Sequence, residues 1–356
     1  MLNSISNLPK DKRKIMEALI KKIENKYKDE IAIVVCYGSY ITGSAYKKSD
    51  LDFFFIPKTD KGKDMQMQFL IDGIGYDFWP LSWERAERIA NFKEATVSII
   101  AEGIVVYYDK PEDLKKFNSL KQRIKEITMA VNDNNILINQ AEKLLKQTKS
   151  IYFDMDYKNL KYEMNDSYCS KILNLLSHVI AYINSTYIKK GAYNIKNEVK
   201  EFAILPENFL EHFNSVTRSH SVTDKKELIK NIIINVEKLL QQKKSQQEVK
   251  STNKKLNGFY EEIKSNYNKL INACENNDHT KVYFTVHLIE QEVKNMMGEK
   301  YKHYNFPNLI KNIYEENYKE LKKLTYQHED KLVSWLKENE VKIIEYENID
   351  KFLADF

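Results

Sequence analysis

Two apolar runs, residues 31–37 and 51–56, the second broken only by Asp52, constrain the chain more than any other feature. Neither alternates apolar with polar positions. Each is too short for a typical buried helix, and each stops at a breaker, Gly38 or Pro57. Such runs fit strands covered on both faces. A sheet of that kind needs helices over it, and the rest of the chain must supply them. The scarcity of breakers agrees: 356 residues contain 9 Gly and 6 Pro, so few turns can form and long helices are expected.

Periodicity extends the reading. An amphipathic helix is expected over 10–28, with Ile15, Leu19, Ile20 and Ile23 on one face. A third strand is expected over 69–79, ended by Pro80, with Gly73 and Gly75 marking a bend or bulge. Ser82 caps a helix through Asn91, and a short strand covers 104–108. From about residue 117 the strand signal nearly vanishes. Helices are predicted over 117–150, over 165–189 (Tyr168, Ile172, Leu175, Leu176, Val179 and Ile183 on one face, Gly191 as the stop) and over 224–240. The polar stretches 241–247 and 250–255 read as a linker. Helices resume at Leu256, at Lys281 and over 307–338, and a short strand over 341–346 closes the chain. The expected class is α+β: a small mixed sheet, then a mainly α-helical region. The expected domains are 1–115, 116–243 and, after the linker, 255–356, the last with no assigned role.

The chemistry lies between the first two strands. A buried strand ends at Gly38-Ser39 and turns into a short helix. Gly38 lets the backbone approach a ligand closely, and the turn offers N–H groups and the Ser39 hydroxyl to an anion. Ten residues later comes Asp50-Leu51-Asp52. A strand period of two puts both carboxylates on one face. Paired carboxylates beside a core repel each other, and a divalent cation removes that cost; Mg²⁺ takes one or two carboxylates plus substrate phosphate oxygens. Asp77, in Gly75-Tyr76-Asp77-Phe78-Trp79, is a further acid in an apolar strand. If its strand neighbours that of Asp52, three carboxylates converge on a site suited to in-line attack on an α-phosphate. Asp77 is then a metal ligand, a general base, or both. The bland alternative, a solvated edge strand, conflicts with Phe53-Phe54-Phe55, which follows without alternation.

This ordered set resembles the mark of the DNA polymerase β-type nucleotidyltransferase superfamily, a Gly-Ser followed by Asp-x-Asp and a third acid. The phrase Gly-Ser-Tyr-Ile-Thr-Gly-Ser-Ala, then Ser-Asp-Leu-Asp, looks most like the bacterial aminoglycoside and lincosamide nucleotidyltransferases. The motif covers about residues 31–80. The resemblance implies that Gly38 and Ser39 hold a triphosphate, that Asp50 and Asp52 bind Mg²⁺, and that Asp77 is the third acid, a catalytic residue and candidate metal ligand. Thr42 and Lys48 are added as nucleotide-binding candidates, although Thr42 can equally cap the short helix and Lys47 and Lys48 suit a solvated turn. The implied enzyme moves a nucleoside monophosphate from an NTP, ATP being the expectation, to a hydroxyl of a small acceptor such as an aminoglycoside-like antibiotic. The alternatives are a protein or RNA nucleotidyltransferase of the toxin–antitoxin type, or a non-catalytic interaction protein.

Other features exclude more than they assign. The net charge of +5, from 56 basic and 51 acidic residues, makes a nucleic-acid partner unlikely, because binders of that kind concentrate their charge. No arginine follows Arg218, which argues against an Arg…His RNA-cleaving site in the last third. Cys36, Cys169 and Cys274 read as buried free thiols and His178 as a packed core residue. Glu163 and Asp166 read as helix-end or surface charge rather than a general base. Trp79 and Trp83 flank the third acid and are candidates for an acceptor pocket. No apolar run is long enough to span a membrane, so a cytoplasmic location is expected. A homodimer is compatible with all of this.

Overall fold

The computed structural model describes residues 8–130, 135–158, 162–248 and 256–355. Five strands form one mixed sheet: β1 (Ile31–Tyr37), β2 (Asp52–Pro57), β3 (Met67–Ile71), β4 (Ile74–Pro80) and β5 (Ile104–Tyr108). Their order is β3-β4-β2-β1-β5. β1 pairs antiparallel with β2 and β5, β3 pairs antiparallel with β4, and β2 and β4 run parallel. A largely helical region follows, so the fold is α+β, as the patterning implies.

The central strands are buried on both faces, which is why they read as apolar runs. On one face, Met16, Leu19 and Ile23 of helix α1 (Lys10–Lys26) share a core with Val34, Cys36, Phe53, Phe55 and Phe78. The other face presents Ile33, Val35, Phe54 and Ile56. These join one continuous core with two helices between β4 and β5, α4 (Trp83–Ala90) and α5 (Ser98–Ala101), and with the helices after β5, α6 (Pro111–Met129), α7 (Asn135–Tyr157), α8 (Tyr162–Ile183), α9 (Ile195–Val199), α10 (Phe209–Arg218) and α11 (Val222–Glu248). Two one-turn helices, α2 (Ser39–Thr42) and α3 (Asp60–Lys63), sit in the connections between strands.

The chain divides into two compact units, residues 1–243 and 244–356. The second has its own core, centred on Tyr267, Val286, Leu332 and Trp335. Helices α12 (Phe259–Glu275), α13 (His279–Met297), α14 (Leu309–Tyr314) and α15 (Tyr318–Glu338) surround it, and a short α16 (Ile349–Ala354) follows. No described helix is long and apolar enough to cross a membrane.

The structure departs from the sequence reading at several places. The expected third strand is a hairpin, β3 and β4, with Ile71 opposite Ile74. Asp72 and Gly73 fill the two-residue turn with φ of 52° and 71°, the left-handed geometry that Asp-Gly supplies readily. Gly75 lies inside the ladder, opposite Leu70, and marks no bulge. The predicted helix over 117–150 is the pair α6 and α7, and that over 307–338 is the pair α14 and α15. At the second break Glu316 has φ 49° and the Asn317 side chain caps the new helix at Glu320 N–H. Residues 241–247, expected as linker, continue α11; Gln and Lys are good helix formers, and nothing in that stretch breaks a turn. The remainder of the expected linker, 250–255, lies outside the described residues. Residues 341–346 are not a strand. The Ile344 N–H donates to the Glu261 side chain (2.6 Å) instead of to a neighbouring strand.

All three cysteines are free and buried. Burial pushes the Cys36 thiol up to about 12 and those of Cys169 and Cys274 up to about 11. Thiols held protonated in this way are poor nucleophiles. His178 is packed in the helical core, where burial lowers its pKa to about 4.

Candidate active site

β1 delivers the chain to Gly38 with φ +85°, a backbone conformation that favours glycine. The space where a Cβ would stand is already taken. An ideal Cβ on Gly38 would lie 1.8 Å from Asp52 Oδ2 and 2.7 Å from its carboxyl carbon. Gly38 therefore lets the Asp52 carboxylate lie against the turn. The Ser39 backbone N–H donates to that carboxylate. The expectation of freely offered N–H groups is thus corrected at Ser39, whose amide serves Asp52.

The loop that follows is held by a local turn. Ser49 N–H donates to Tyr46 O (2.9 Å), and the Tyr46 N–H donates to Ser49 Oγ (2.9 Å). Ser49 is buried. This fixes the entry into Asp50-Leu51-Asp52. Leu51 is fully buried within the α1-side core, whereas Asp50 and Asp52 are only half-buried. Strand alternation therefore directs Asp52 to the same face as Phe54, the side covered by α4 to α11.

The parallel pairing of β2 and β4 brings in the third acid. Phe53 lies opposite Phe78, so Asp52 and Asp77 stand one step along on neighbouring strands. Asp77 is exposed, and Gln68 Nε2 on β3 donates to its Oδ1 (2.9 Å). Desolvation, then the charges of Asp50 and Asp77, push Asp52 up to about 6; the Ser39 N–H alone opposes them. A carboxyl raised by burial and by two neighbouring carboxylates is one whose ionised form a nearby cation would stabilise.

Two residues join the site without having been singled out from the sequence. Tyr37 is paired with Asp52 across β1 and β2. Its hydroxyl accepts from Trp79 Nε1 (2.9 Å), and burial, with the charges of Asp52, Asp77 and Asp50, raises its pKa. Its place just before Gly38, on the Val35 face, was the available signal. Gln68 could be found only once β3 was recognised as a separate strand.

The remaining candidates are placed as follows. The Thr42 hydroxyl donates to Gly38 O (3.2 Å) and lies 3.0 Å from Ser44 Oγ, so it braces α2. Lys48 is exposed in the loop and forms no ion pair among the described residues. Asp166 is paired with Lys225, and Glu163 is exposed in the first turn of α8. Trp79 lies beside Phe54 and Tyr37, with the Arg85 guanidinium 5.5 Å from its ring centroid. Trp83 faces Lys116 Nζ at 4.5 Å.

Among the described residues no three His, Cys, Asp or Glu already surround one metal position. The donor set nonetheless fits a hard divalent cation that completes its shell with substrate oxygens. Asp50 and Asp52 are hard carboxylates close enough for the charge of one to raise the pKa of the other.

No family model matches the chain, and no curated protein matches it. Among solved structures, a nucleotidyltransferase-like protein from Exiguobacterium sibiricum 255-15 aligns over 65% of this chain and 77% of its own, with 11% identity and a TM-score of 0.39. A score that low carries no weight for the assignment, and the reading of the site rests on its own geometry.

Proposed function

We propose that the chain is a metal-dependent nucleotidyltransferase that moves a nucleoside monophosphate from an NTP to a hydroxyl of a small acceptor. The observation that carries this reading is the Asp52 carboxyl, seated against a Cβ-free Gly38, bonded by Ser39 N–H and raised to about 6 by burial and two adjacent acids. In the reaction, the acceptor oxygen bonds to the α-phosphorus while the bond from that phosphorus to the β-bridging oxygen breaks. Pyrophosphate leaves with the electron pair, and the hydroxyl proton passes to a base.

Asp50 and Asp52 would hold Mg²⁺, which supplies charge neutralisation for the phosphates when bound. Gly38 gives the triphosphate close access to the backbone, and the Ser39 hydroxyl is its hydrogen-bond donor. One Asp77 oxygen is engaged by Gln68; the other is the proposed proton acceptor or metal ligand. Thr42 and Lys48 have supporting roles in this reading, Thr42 by bracing the turn and Lys48 by its charge in the loop. The Tyr37–Trp79 pair offers an aromatic wall for the acceptor. An aminoglycoside-like antibiotic is the first acceptor class to test.

The test incubates the purified protein with each of the four labelled NTPs, Mg²⁺ and a panel of aminoglycosides and lincosamides. Mass spectrometry then looks for a product heavier by one nucleoside monophosphate, alongside pyrophosphate release. Asp52→Asn is expected to abolish both. Labelled protein or RNA in place of a small product would move the acceptor to a macromolecule. A protein that binds no NTP in Mg²⁺ would sink the enzymatic reading altogether.

A further inference from the structure

Lys12 carries a charge in a place where charges are costly. It lies on α1, 2% exposed, on the face of the sheet opposite the acids. The nearest carboxylate, Asp11 at 3.9 Å, is its own neighbour in sequence and is largely exposed, so ion pairing does not account for the burial. Two aromatic rings account for it better. Lys12 Nζ donates to the Tyr76 hydroxyl, and it lies 4.8 Å from the Tyr76 ring centroid and 6.0 Å from that of Tyr40. The ammonium therefore sits at the hydroxyl end of Tyr76 and at the reach of the Tyr40 ring, contacts that count for more where water is excluded.

The two rings belong to the two segments that build the candidate site. Tyr40 follows Ser39 in α2, and Ser39 N–H holds Asp52. Tyr76 precedes Asp77 in β4, and strand alternation sends Tyr76 to the α1 side and Asp77 to the other. One group beneath the sheet thus grips both the Gly38-Ser39 turn and the strand of the third acid.

We propose that Lys12 is a positioning residue: its ammonium clamps Tyr40 and Tyr76 and so fixes the Gly38-Ser39 turn relative to Asp77. It touches no reacting atom. Its effect on nucleotide binding rests on the nucleotidyltransferase reading; the clamp itself does not.

Lys12→Met keeps most of the apolar stem and removes both the charge and its burial cost, so the melting temperature is expected to stay near that of the wild type. Hydrogen exchange then reads the clamp directly. The amides of Ile41, Thr42 and Ser44 are bonded to the carbonyls of Gly38, Gly38 and Ser39. In Lys12→Met they are expected to exchange about tenfold faster, while β1 and β5 amides do not change. Lys12→Arg, which retains a cation, is expected to recover part of that protection. In the transfer assay, Lys12→Met is expected to raise KM for the NTP about tenfold.

Unchanged exchange over residues 39–44 in Lys12→Met would overturn the clamp. So would faster exchange across the whole sheet with a lower melting temperature, since Lys12 would then be a structural residue only. Loosened amides with an unchanged KM would overturn its role in the site. A wild-type protein that binds no NTP would overturn the functional reading, and the exchange measurement would still decide the clamp.

Discussion

An acid placed beside two others is harder to ionise in the folded chain than in the unfolded one, and Asp52 makes that cost measurable. Its folded pKa, about 6, is above its unfolded value near 3.8. The folded state therefore binds this proton more tightly. Folding gains from the proton at low pH, and the gain is lost as pH rises from the unfolded to the folded value. Asp52→Asn removes the titration. Relative to wild type, the variant should be more stable at about pH 8 by on the order of 1–3 kcal/mol, an advantage that fades below about pH 4. Urea melts at the two pH values check this; an advantage equal at both would refute the electrostatic cause. Mg²⁺ with NTP should narrow the gap at about pH 8 by stabilising only the wild type, and turnover in the variant should fall about a thousandfold or more. Gly38→Ala tests the same contact from the other side. A methyl group at 1.8 Å from Asp52 Oδ2, on a backbone with φ +85°, must displace the carboxylate. A loss of roughly 2 kcal/mol or more in stability, together with loss of Mg²⁺-dependent NTP binding by calorimetry, is the expected outcome. These residues were legible because the pattern is ordered: an apolar strand, Gly-Ser, ten residues, Asp-Leu-Asp. Tyr37 and Gln68 were not, because each acquires its role only by lying across a strand pair from Asp52 or Asp77.

Among the elements, β1 and β2 were readable because burial on both faces leaves runs that are apolar throughout except for Asp52. The β3–β4 hairpin was misread as one strand, although Asp72-Gly73 is a strong turn signal. The glycines were assigned to a bend or bulge; Gly73 closes the turn, and Gly75 lies within the ladder. That difference matters to the site, since β3 supplies Gln68 and forms the edge against which β4 holds Asp77. Gly73→Ala should strain the turn, which sits at φ 71° with open space around it. The expected loss is about 1 kcal/mol, appearing first as faster amide exchange over residues 67–80, while α1 and β5 keep their protection. Exchange that rises equally in all five strands would mean that the hairpin does not open on its own. The far end of the chain shows the opposite limit. Polar, Gln- and Lys-rich composition suits both a linker and an exposed helix, and with no breaker present residues 241–248 extend α11. Residues 341–346 had strand composition and pair with no strand among the described residues.

On the scale of the molecule, local pattern says little about which strands become neighbours. The order β3-β4-β2-β1-β5, with its parallel β2–β4 pair, is what brings Asp77 beside Asp52, and sequence spacing could only pose that adjacency as a condition. The sequence suggested three domains, 1–115, 116–243 and 255–356; the chain divides into two compact units, 1–243 and 244–356. Every candidate site residue, and the Lys12 clamp, lies in residues 1–243. Among the described residues, the two cores that serve the sheet contain none beyond Leu240, and the third begins at Leu256. A protein ending at residue 248, which retains all of α11, should therefore unfold cooperatively and bind Mg²⁺ and NTP with an affinity within about threefold of the full chain. Tryptophans separate the units spectroscopically: Trp79 and Trp83 report on the first and the buried Trp335 on the second. In the full chain, excess NTP with Mg²⁺ should raise the melting transition seen through Trp79 and Trp83 and leave that of Trp335 where it was, because a ligand stabilises only the unit that binds it. Single-tryptophan variants, with the others replaced by Phe, make the measurement direct. Parallel shifts of both transitions would show that the units unfold as one, and loss of NTP binding in the 1–248 protein would place part of the site in the second unit.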